Sequence, residues 1–166
     1  FVSISNADRA EGLPYVATIY HGIDVSQFPF QARPGEHLVA FGRIHPDKGT
    51  ADAIEIARRA GRPLVICGPV HDRDYYAERV EPHIDGDQVR YLGNVGPDKR
   101  AEVLGGAVAL LHPIGFAEPF GLSVVEAMMC GTPVVAYPKG AMPELIEPGR
   151  TGLLVDSVEA AADAVA

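Results

Sequence analysis

The chain has 166 residues, of which 47% are hydrophobic and 22% charged, and its formal net charge at pH 7 is -8. This length and composition predict one globular domain and exclude a disordered chain, while the acidic balance argues against a nucleic-acid-binding protein. No apolar run approaches the ~20 residues that span a membrane, and no segment has a signal-peptide pattern. Cys67 and Cys130 each adjoin an apolar run, which predicts buried free thiols and a cytoplasmic location.

The predicted elements alternate between strands and helices along the chain. Six short apolar runs have the length of buried strands: Leu38–Phe41, Leu64–Cys67, Val89–Leu92, Ala107–Leu111, Pro133–Ala136 and Gly152–Val155. Apolar residues at helical spacing predict helices over Thr50–Ala60, Asp74–Val80, Asp98–Leu104, Leu122–Met129 and Ser157–Ala166, with a short one over Met142–Ile146. Thr50 is the predicted N-cap of the first helix. The pattern predicts an α/β fold with a doubly wound parallel sheet, whose ligands bind beyond the carboxyl ends of the strands.

The two ends and one internal stretch set the predicted domain organisation. The chain opens on the strand-like run Phe1–Ser5 without a methionine, and it closes on residues of helical composition without a terminating glycine or proline. We therefore interpret the sequence as a piece of a longer protein. The irregular stretch Gly22–Glu36 contains two prolines and predicts a linker that leads into the domain.

The loop after the first predicted domain strand places two cations before a helix. Arg43 and Lys48 lie in the glycine-flanked segment Gly42–Gly49. A phosphate group could be held by the Arg43 fork, the Lys48 charge and the backbone amides of the helix start. The alternative is a solvated turn in which Lys48 pairs with Asp47 or Asp52, and the spacing alone leaves both readings open.

A second loop and the helix that follows it, over Leu122–Met129, carry one acid each. The turn at Phe120 and Gly121 leaves backbone amides free to face an anion, with Glu118 ahead of the helix. Glu126 lies ~7 Å further along the helix axis, at ~1.5 Å per residue. The two carboxylates are therefore positioned to accept hydrogen bonds from hydroxyls on either side of a diphosphate.

Both acids also have a structural interpretation. Ser123 and Glu126 have the spacing of a capping box, in which the Glu126 side chain returns to the Ser123 backbone. Glu118 is in that case an ordinary solvated loop acid.

Other chemistry-bearing patterns are weak or absent. Asp72 with Asp74, and Asp85 with Asp87, match a two-aspartate divalent-ion pattern, but each pair more simply begins a helix or forms a turn, so no metal site is predicted. The six histidines lack zinc-ligand spacing. The phosphate loop, the dinucleotide-binding glycine motif and the nucleophile elbow are all missing, which excludes P-loop ATPases, kinases and NAD dehydrogenases.

Six groups of residues, taken in chain order, carry a family resemblance. They are His21–Asp24 with Phe28, Gly42-Arg43 with Lys48-Gly49, Glu118–Ala127, Gly131–Val135, Pro143–Ile146 and Gly149–Leu154. Over roughly residues 2–156, this order resembles the retaining glycosyltransferases of family 4. The chain departs from the family at Gly68–His71, where many members carry a Gly-x-Gly sequence.

The resemblance implies the GT-B architecture, in which two Rossmann-like domains face each other across a cleft. Residues 1–20 would hold the last strand region of the N-terminal domain, residues 21–36 the interdomain linker, and residues 37–166 the donor-binding C-terminal domain, truncated at its C-terminus. The missing N-terminal domain would supply the acceptor site, and the resemblance leaves open whether it also contacts a membrane peripherally.

The resemblance also implies roles for individual residues. Arg43, Lys48 and Glu118 are the expected catalytic residues, with the two cations on the donor diphosphate and Glu118 on the sugar hydroxyls. Glu126 would bind the ribose hydroxyls. The remaining expected donor-binding residues contact the phosphate, the sugar or the base: Gly42, Asn94, Val95, Phe120, Gly121 and Leu122.

The implied function is transfer of a hexose from a UDP- or GDP-sugar to an acceptor hydroxyl, with retention of configuration and without a metal or other cofactor. The isolated fragment is expected to bind the donor and to transfer nothing. Two alternatives stand beside this function. One is a nucleotide-sugar-binding module without catalysis, and the other is a nucleotide-sugar epimerase of the same architecture.

Overall fold

The computed structural model describes residues 1–166 and contains eight strands and six α-helices. The strands are β1 (Val2–Ser3), β2 (Ala17–Thr18), β3 (Leu38–Phe41), β4 (Leu64–Cys67), β5 (Val89–Tyr91), β6 (Ala109–His112), β7 (Val134–Ala136) and β8 (Gly152–Leu154). The helices are α1 (Thr50–Ala60), α2 (Arg73–Arg79), α3 (Pro97–Gly105), α4 (Leu122–Met129), α5 (Met142–Leu145) and α6 (Val158–Val165). None of these helices has the length and apolarity that a membrane-spanning helix needs.

Six strands form one sheet in the order β5-β4-β3-β6-β7-β8, and every neighbouring pair is parallel. This sheet begins in its middle with β3, extends outwards through β4 to β5, and continues with β6 on the other side of β3. This order confirms the predicted doubly wound α/β fold. Its switch point lies between β3 and β6, where the loops that leave the two strands diverge and a crevice opens.

The core has two layers because successive residues of a strand face opposite sides of the sheet. Leu38 and Ala40 of β3 pack with the buried face of α1 and with α6, whereas Val39 packs on the other side with residues of α3 and α4. Both layers are apolar, and burying each large side chain contributes about 1.5–3 kcal/mol. This double burial explains why the strands read as continuous apolar runs.

Several predicted boundaries are wrong by one or two residues, and two of these differences have a clear physical reason. Thr50 is the first residue of α1 and not its N-cap, because Gly49 takes the cap position with a φ of +67°. The strand predicted from Ala107 begins at Ala109, because the Ala107 amide still donates to the Leu104 carbonyl (3.2 Å) and closes the last turn of α3.

The two cysteines are buried and free, as the sequence predicts. Burial raises the pKa of the Cys67 thiol to about 12. Cys130 lies in the core layer that α4 covers, and burial raises the pKa of its thiol as well. Neither thiol is ionised near neutral pH, so both behave as small apolar core residues.

The N-terminal segment packs against the domain without joining its sheet. β1 and β2 form a separate two-stranded parallel sheet. The Glu144 carboxylate accepts hydrogen bonds from the amides of Asn6 (2.9 Å) and Ala7 (2.7 Å), and the Ser5 hydroxyl donates to the Pro119 carbonyl (2.5 Å). Residues 21–36 then run without strand or α-helix, apart from one 3₁₀ turn at Val25–Gln27.

Candidate functional site

A cleft of about 420 Å³ opens at the carboxyl edge of the sheet, beside the switch point. Nine of the ten residues expected to bind a donor line it, and Val95 does not. Asn94 reaches the cleft from the loop after β5, while Val95, the next residue, is half-buried outside it. The other residues that line the cleft are Ile4, His21, Phe41, Gly68, Pro69, Arg100, Pro119 and Ser123.

Lys48 and Glu118 form an ion pair across the switch point. The Lys48 Nζ lies 2.5 Å from Glu118 Oε2, and the side chains are only 19% and 13% exposed. Lys48 also stands over the ring of Phe116, 4.6 Å from its centre. The interpretation that Lys48 pairs with Asp47 or Asp52 is therefore wrong, and so is the interpretation of Glu118 as a solvated loop acid. The adjacent strands β3 and β6 bring the two loops together.

Close backbone contacts hold both members of this pair in place. A Cβ at Gly49, which directly follows Lys48, would lie 2.0 Å from the Pro113 carbonyl oxygen. A Cβ at Gly140, whose φ is +58°, would lie 2.2 Å from the backbone nitrogen of Glu118, and the amide of Ala141 donates to the Glu118 carbonyl (2.8 Å). Only glycine fits at these two approaches, so the loops that carry Lys48 and Glu118 have little room to shift.

Arg43 is a free cation in the same cleft. It follows β3 directly, it is half-buried, and none of the ion pairs of the chain includes it. A guanidinium without an internal partner keeps its full set of donors for a ligand, and its planar fork suits two oxygens of a phosphate.

The N-terminus of α4 adds backbone donors to the cleft. Gly121 is the N-cap, with a φ of +98°, and no side chain caps the helix. The amides of Phe120, Gly121, Leu122 and Ser123 donate to no acceptor within the chain. Free amides and the positive end of the helix dipole together favour an anion at this point.

Glu126 makes an ion pair and does not form the capping box. Its Oε1 accepts a hydrogen bond from Arg100 Nη1 (2.8 Å), and the Glu126 side chain is 7% exposed. Burial raises the pKa of Glu126, and the nearby Arg100 acts against this shift. The capping-box reading fails because Gly121 takes the N-cap position and because α3 supplies a cation to the buried carboxylate.

Arg100 is the cleft residue that the sequence reading missed. It lies in the first turn and a half of α3, where the helix dipole disfavours a cation. A cation at such a position is a signal that an acidic partner lies nearby, but it does not identify that partner. The partner is Glu126, 26 residues further along the chain.

A buried histidine lies beneath the cationic side of the cleft and was also missed. His112 ends β6, is 5% exposed, and has no hydrogen-bond partner at Nε2. Burial and, to a lesser degree, the Lys48 charge lower the pKa of His112 to about 3. The imidazole is therefore neutral at physiological pH and adds no charge to the site.

In each of the two aspartate pairs that weakly matched a metal site, one aspartate accepts hydrogen bonds from nearby backbone amides. Asp72 caps α2 by accepting the Tyr75 amide (2.9 Å), and Asp85 accepts the amides of Asp87 and Val89 (both 2.9 Å). The structure gathers no group of three or more His, Cys, Asp or Glu side chains suited to hold a metal ion.

A doubly wound sheet with cations and free amides at its switch point defines an α/β domain of the Rossmann-like class. The family model described as "Glycosyl transferases group 1" matches residues 27–166. The chain belongs to this family, and its structural neighbours are glycosyltransferases of the GT-B fold.

Two curated relatives and one solved structure illustrate the similarity. The chain is 32% identical over 152 residues to a glycogen synthase of Mycobacterium tuberculosis, covering 86% of this chain and 36% of that protein. It is 33% identical over 171 residues to a D-inositol 3-phosphate glycosyltransferase of Mycobacteroides abscessus, covering 93% and 38%. The crystal structure of Anabaena Alr3699/HepE in complex with UDP-glucose matches with a TM-score of 0.82 at 23% identity, covering 99% of this chain and 52% of that one. The chain thus spans little more than a third of either curated relative.

Proposed function

We propose that this chain is the donor-binding domain of a retaining, metal-independent glycosyltransferase that moves a hexose from a UDP- or GDP-sugar to an acceptor hydroxyl. The observation that carries the proposal is the free guanidinium of Arg43 facing the same cleft as the free amides at the start of α4. Together with Lys48, these groups form a local cluster of positive charge in a chain whose net charge is -8. A diphosphate is the ligand that such a set of donors suits best.

The geometry supports a role for the same groups in the transfer step. The bond between the anomeric carbon and the diphosphate breaks, a bond from that carbon to the acceptor oxygen forms on the same face, and the proton of the acceptor hydroxyl passes to an oxygen of the departing diphosphate. Negative charge grows on the departing diphosphate, where Arg43, Lys48 and the α4 amides stabilise it electrostatically. Glu118 and Glu126 accept hydrogen bonds from the sugar and ribose hydroxyls, for which a carboxylate is a suitable partner.

The proposal extends to the protein from which the chain derives. Residues 1–20 would belong to the acceptor-binding domain, residues 21–36 to the interdomain linker, and residues 37–166 to the donor domain. Asn94 would lie beside the base. The complex of HepE with UDP-glucose supports the choice of ligand class by analogy of fold. The chain by itself would bind a donor, work in the cytoplasm as part of the whole enzyme, and transfer nothing without the acceptor domain.

Calorimetric titration with UDP, GDP and ADP tests the proposal. We expect the unmodified chain to bind at least one of them, and Arg43→Ala to weaken that binding by about 10- to 100-fold, since a hydrogen bond to a charged group contributes roughly 1.5–3 kcal/mol. Arg33→Ala is the matched control, because Arg33 is exposed and precedes β3, at the opposite edge of the sheet. Absence of binding to all three nucleotides at millimolar concentration contradicts the proposal.

A further inference from the structure

The contact between Arg100 and Glu126 leaves two polar atoms unsatisfied at the wall of the cleft. Arg100 Nη1 donates to Glu126 Oε1 at 2.8 Å, while Arg100 Nε and Glu126 Oε2 are buried without any hydrogen-bond partner. Both residues line the cleft. Buried polar atoms without partners are rare in proteins, and an unpaired carboxylate oxygen beside a cleft points to a donor that a ligand supplies.

Three elements hold the Arg100 guanidinium in one orientation. Arg100 projects from α3, and its Cζ lies 4.9 Å from the centre of the Phe41 ring, at the end of β3. The third element is α4, which packs against α3 and supplies the Glu126 carboxylate that Arg100 contacts. A guanidinium that is stacked on a ring and bonded to a carboxylate has little freedom to turn towards another partner.

The orientation of Arg100 decides what Glu126 can do. Because Oε1 already accepts a hydrogen bond from Arg100, Oε2 is the carboxylate oxygen that has no partner. An ionised carboxylate oxygen accepts a hydrogen bond but repels a phosphate. The group that fits is therefore a neutral hydroxyl near the diphosphate position at the start of α4, and in a nucleotide the ribose carries the hydroxyls next to the diphosphate.

We propose that Arg100 is a positioning residue that holds Glu126 with Oε2 directed at a ribose hydroxyl of the bound nucleotide. This inference rests on the proposed function and adds a residue that the sequence did not indicate. Arg100 acts through Glu126 and makes no contact with the diphosphate. Its removal therefore lowers the preference for a ribose hydroxyl and leaves the phosphate contacts in place.

Paired titrations with UDP, 2′-deoxy-UDP and 3′-deoxy-UDP test this inference. We expect the unmodified chain to bind UDP about tenfold more tightly than at least one of the deoxy analogues. Arg100→Met, which keeps the apolar stem and removes the guanidinium, reduces that preference to about twofold or less. The ratio of the two affinities cancels any change in long-range charge that acts equally on both nucleotides.

Three further variants separate positioning from general damage. Arg100→Lys keeps a cation near Oε1 and restores part of the preference, which a purely structural loss would not allow. Phe41→Leu removes the ring beneath the guanidinium and lowers the preference part of the way, so the inference is testable even if Arg100→Met fails to fold. Arg33→Met, far from the cleft, leaves the preference unchanged.

The outcomes distinguish the inference from the proposed function. If the unmodified chain binds no nucleotide, the proposed function fails and the inference falls with it. If it binds UDP and both deoxy analogues equally, or if Arg100→Met and Phe41→Leu keep the full preference, the function stands and the inference is wrong. If Arg100→Met weakens UDP and the deoxy analogues by the same factor, Arg100 contacts the diphosphate and the positioning role is wrong.

Discussion

Two ion pairs line the cleft, and they differ in how many of their buried polar atoms have a hydrogen-bond partner. Lys48 and Glu118 join two loops at 2.5 Å, with both side chains mostly buried. Arg100 and Glu126 join two helices at 2.8 Å, with the acid nearly buried and the cation 36% exposed. Only the second pair leaves buried atoms, Arg100 Nε and Glu126 Oε2, without partners.

The two carboxylates of the cleft therefore differ in what a ligand must displace in order to bond to them. Glu118 is engaged with a cation that the proposed diphosphate would also attract, so we expect the two anions to compete for Lys48. Glu126 is engaged through one oxygen only, so a ligand can bond to the other without breaking the contact with Arg100. In the first pair, a bound anion would compete with Glu118 for Lys48. In the second pair, Glu126 Oε2 can accept a hydrogen bond while Oε1 stays bonded to Arg100.

The backbone support of the first pair gives the largest expected effect. Gly140→Ala places a Cβ 2.2 Å from the Glu118 backbone nitrogen, at a φ of +58°, so the loop that carries Glu118 must move. We expect the free energy of unfolding to fall by about 3 kcal/mol, as measured by urea denaturation. Gly86→Ala is the matched control, because Gly86 has a φ of +80° and a Cβ added there meets no atom within 4 Å, and it should cost only about 1 kcal/mol. Equal losses in the two variants contradict the close approach.

The second pair predicts a pH-dependent stability. Burial raises the pKa of Glu126 above its ordinary value of 4.5, so its contribution to stability is fully present below pH 4.5 and is lost as the pH rises through the folded-state pKa. Arg100→Met removes the group that opposes this shift, so the folded-state pKa rises further. We expect the variant to lose about 1–2 kcal/mol at pH 7, less than for a fully buried pair because Arg100 is partly exposed.

That loss should shrink as the pH falls below 4.5, because protonation removes the Glu126 charge that Arg100 stabilises. The control is Arg100→Met combined with Glu126→Gln, whose difference in stability from Glu126→Gln alone should not depend on pH. Urea denaturation of the four proteins at several pH values provides the comparison. A loss for Arg100→Met that is constant between pH 4 and pH 7 contradicts the electrostatic account.

The exchange of partners at Lys48 gives the smallest expected effect. Glu118→Gln removes the charge that competes with a diphosphate for Lys48, so UDP, which lacks the hexose that position 118 would contact, should bind about two- to fivefold more tightly. Glu147→Gln is the control, since Glu147 pairs with Arg150 ahead of β8, away from the cleft. Titration of UDP measures both variants, and weaker binding to Glu118→Gln would show that the pair already has the geometry that a diphosphate needs.

Much of the fold follows from patterns that are local in the sequence. Apolar runs of strand length predict buried parallel strands because only a strand covered on both faces is apolar throughout. Helix-period residues such as Ala53 and Ile54 do lie on the buried face of α1. The failures are at boundaries: Thr50 has the side chain of an N-cap, but the approach of Gly49 to Pro113 sets where the helix begins.

For the candidate site, the residues that line the cleft could largely be predicted from the sequence, but their contacts could not. The residue types at the strand ends, together with the family resemblance, indicate nine of the ten expected cleft residues, because parallel strands bring their carboxyl ends to one edge. The partners of those residues could not be predicted. Lys48 meets Glu118 across 70 residues of sequence, and neither local alternative, Asp47 or Asp52, takes its place.

The sequence by itself determined the α/β class, the elements in chain order, the buried thiols and the cations and acids that face the cleft, because each depends on composition or on a period within one element. Only the tertiary structure decided which charges meet. The strand order set Lys48 against Glu118, and the packing of α3 on α4 brought Arg100 to Glu126. Such pairings depend on contacts between distant segments, which no local pattern encodes.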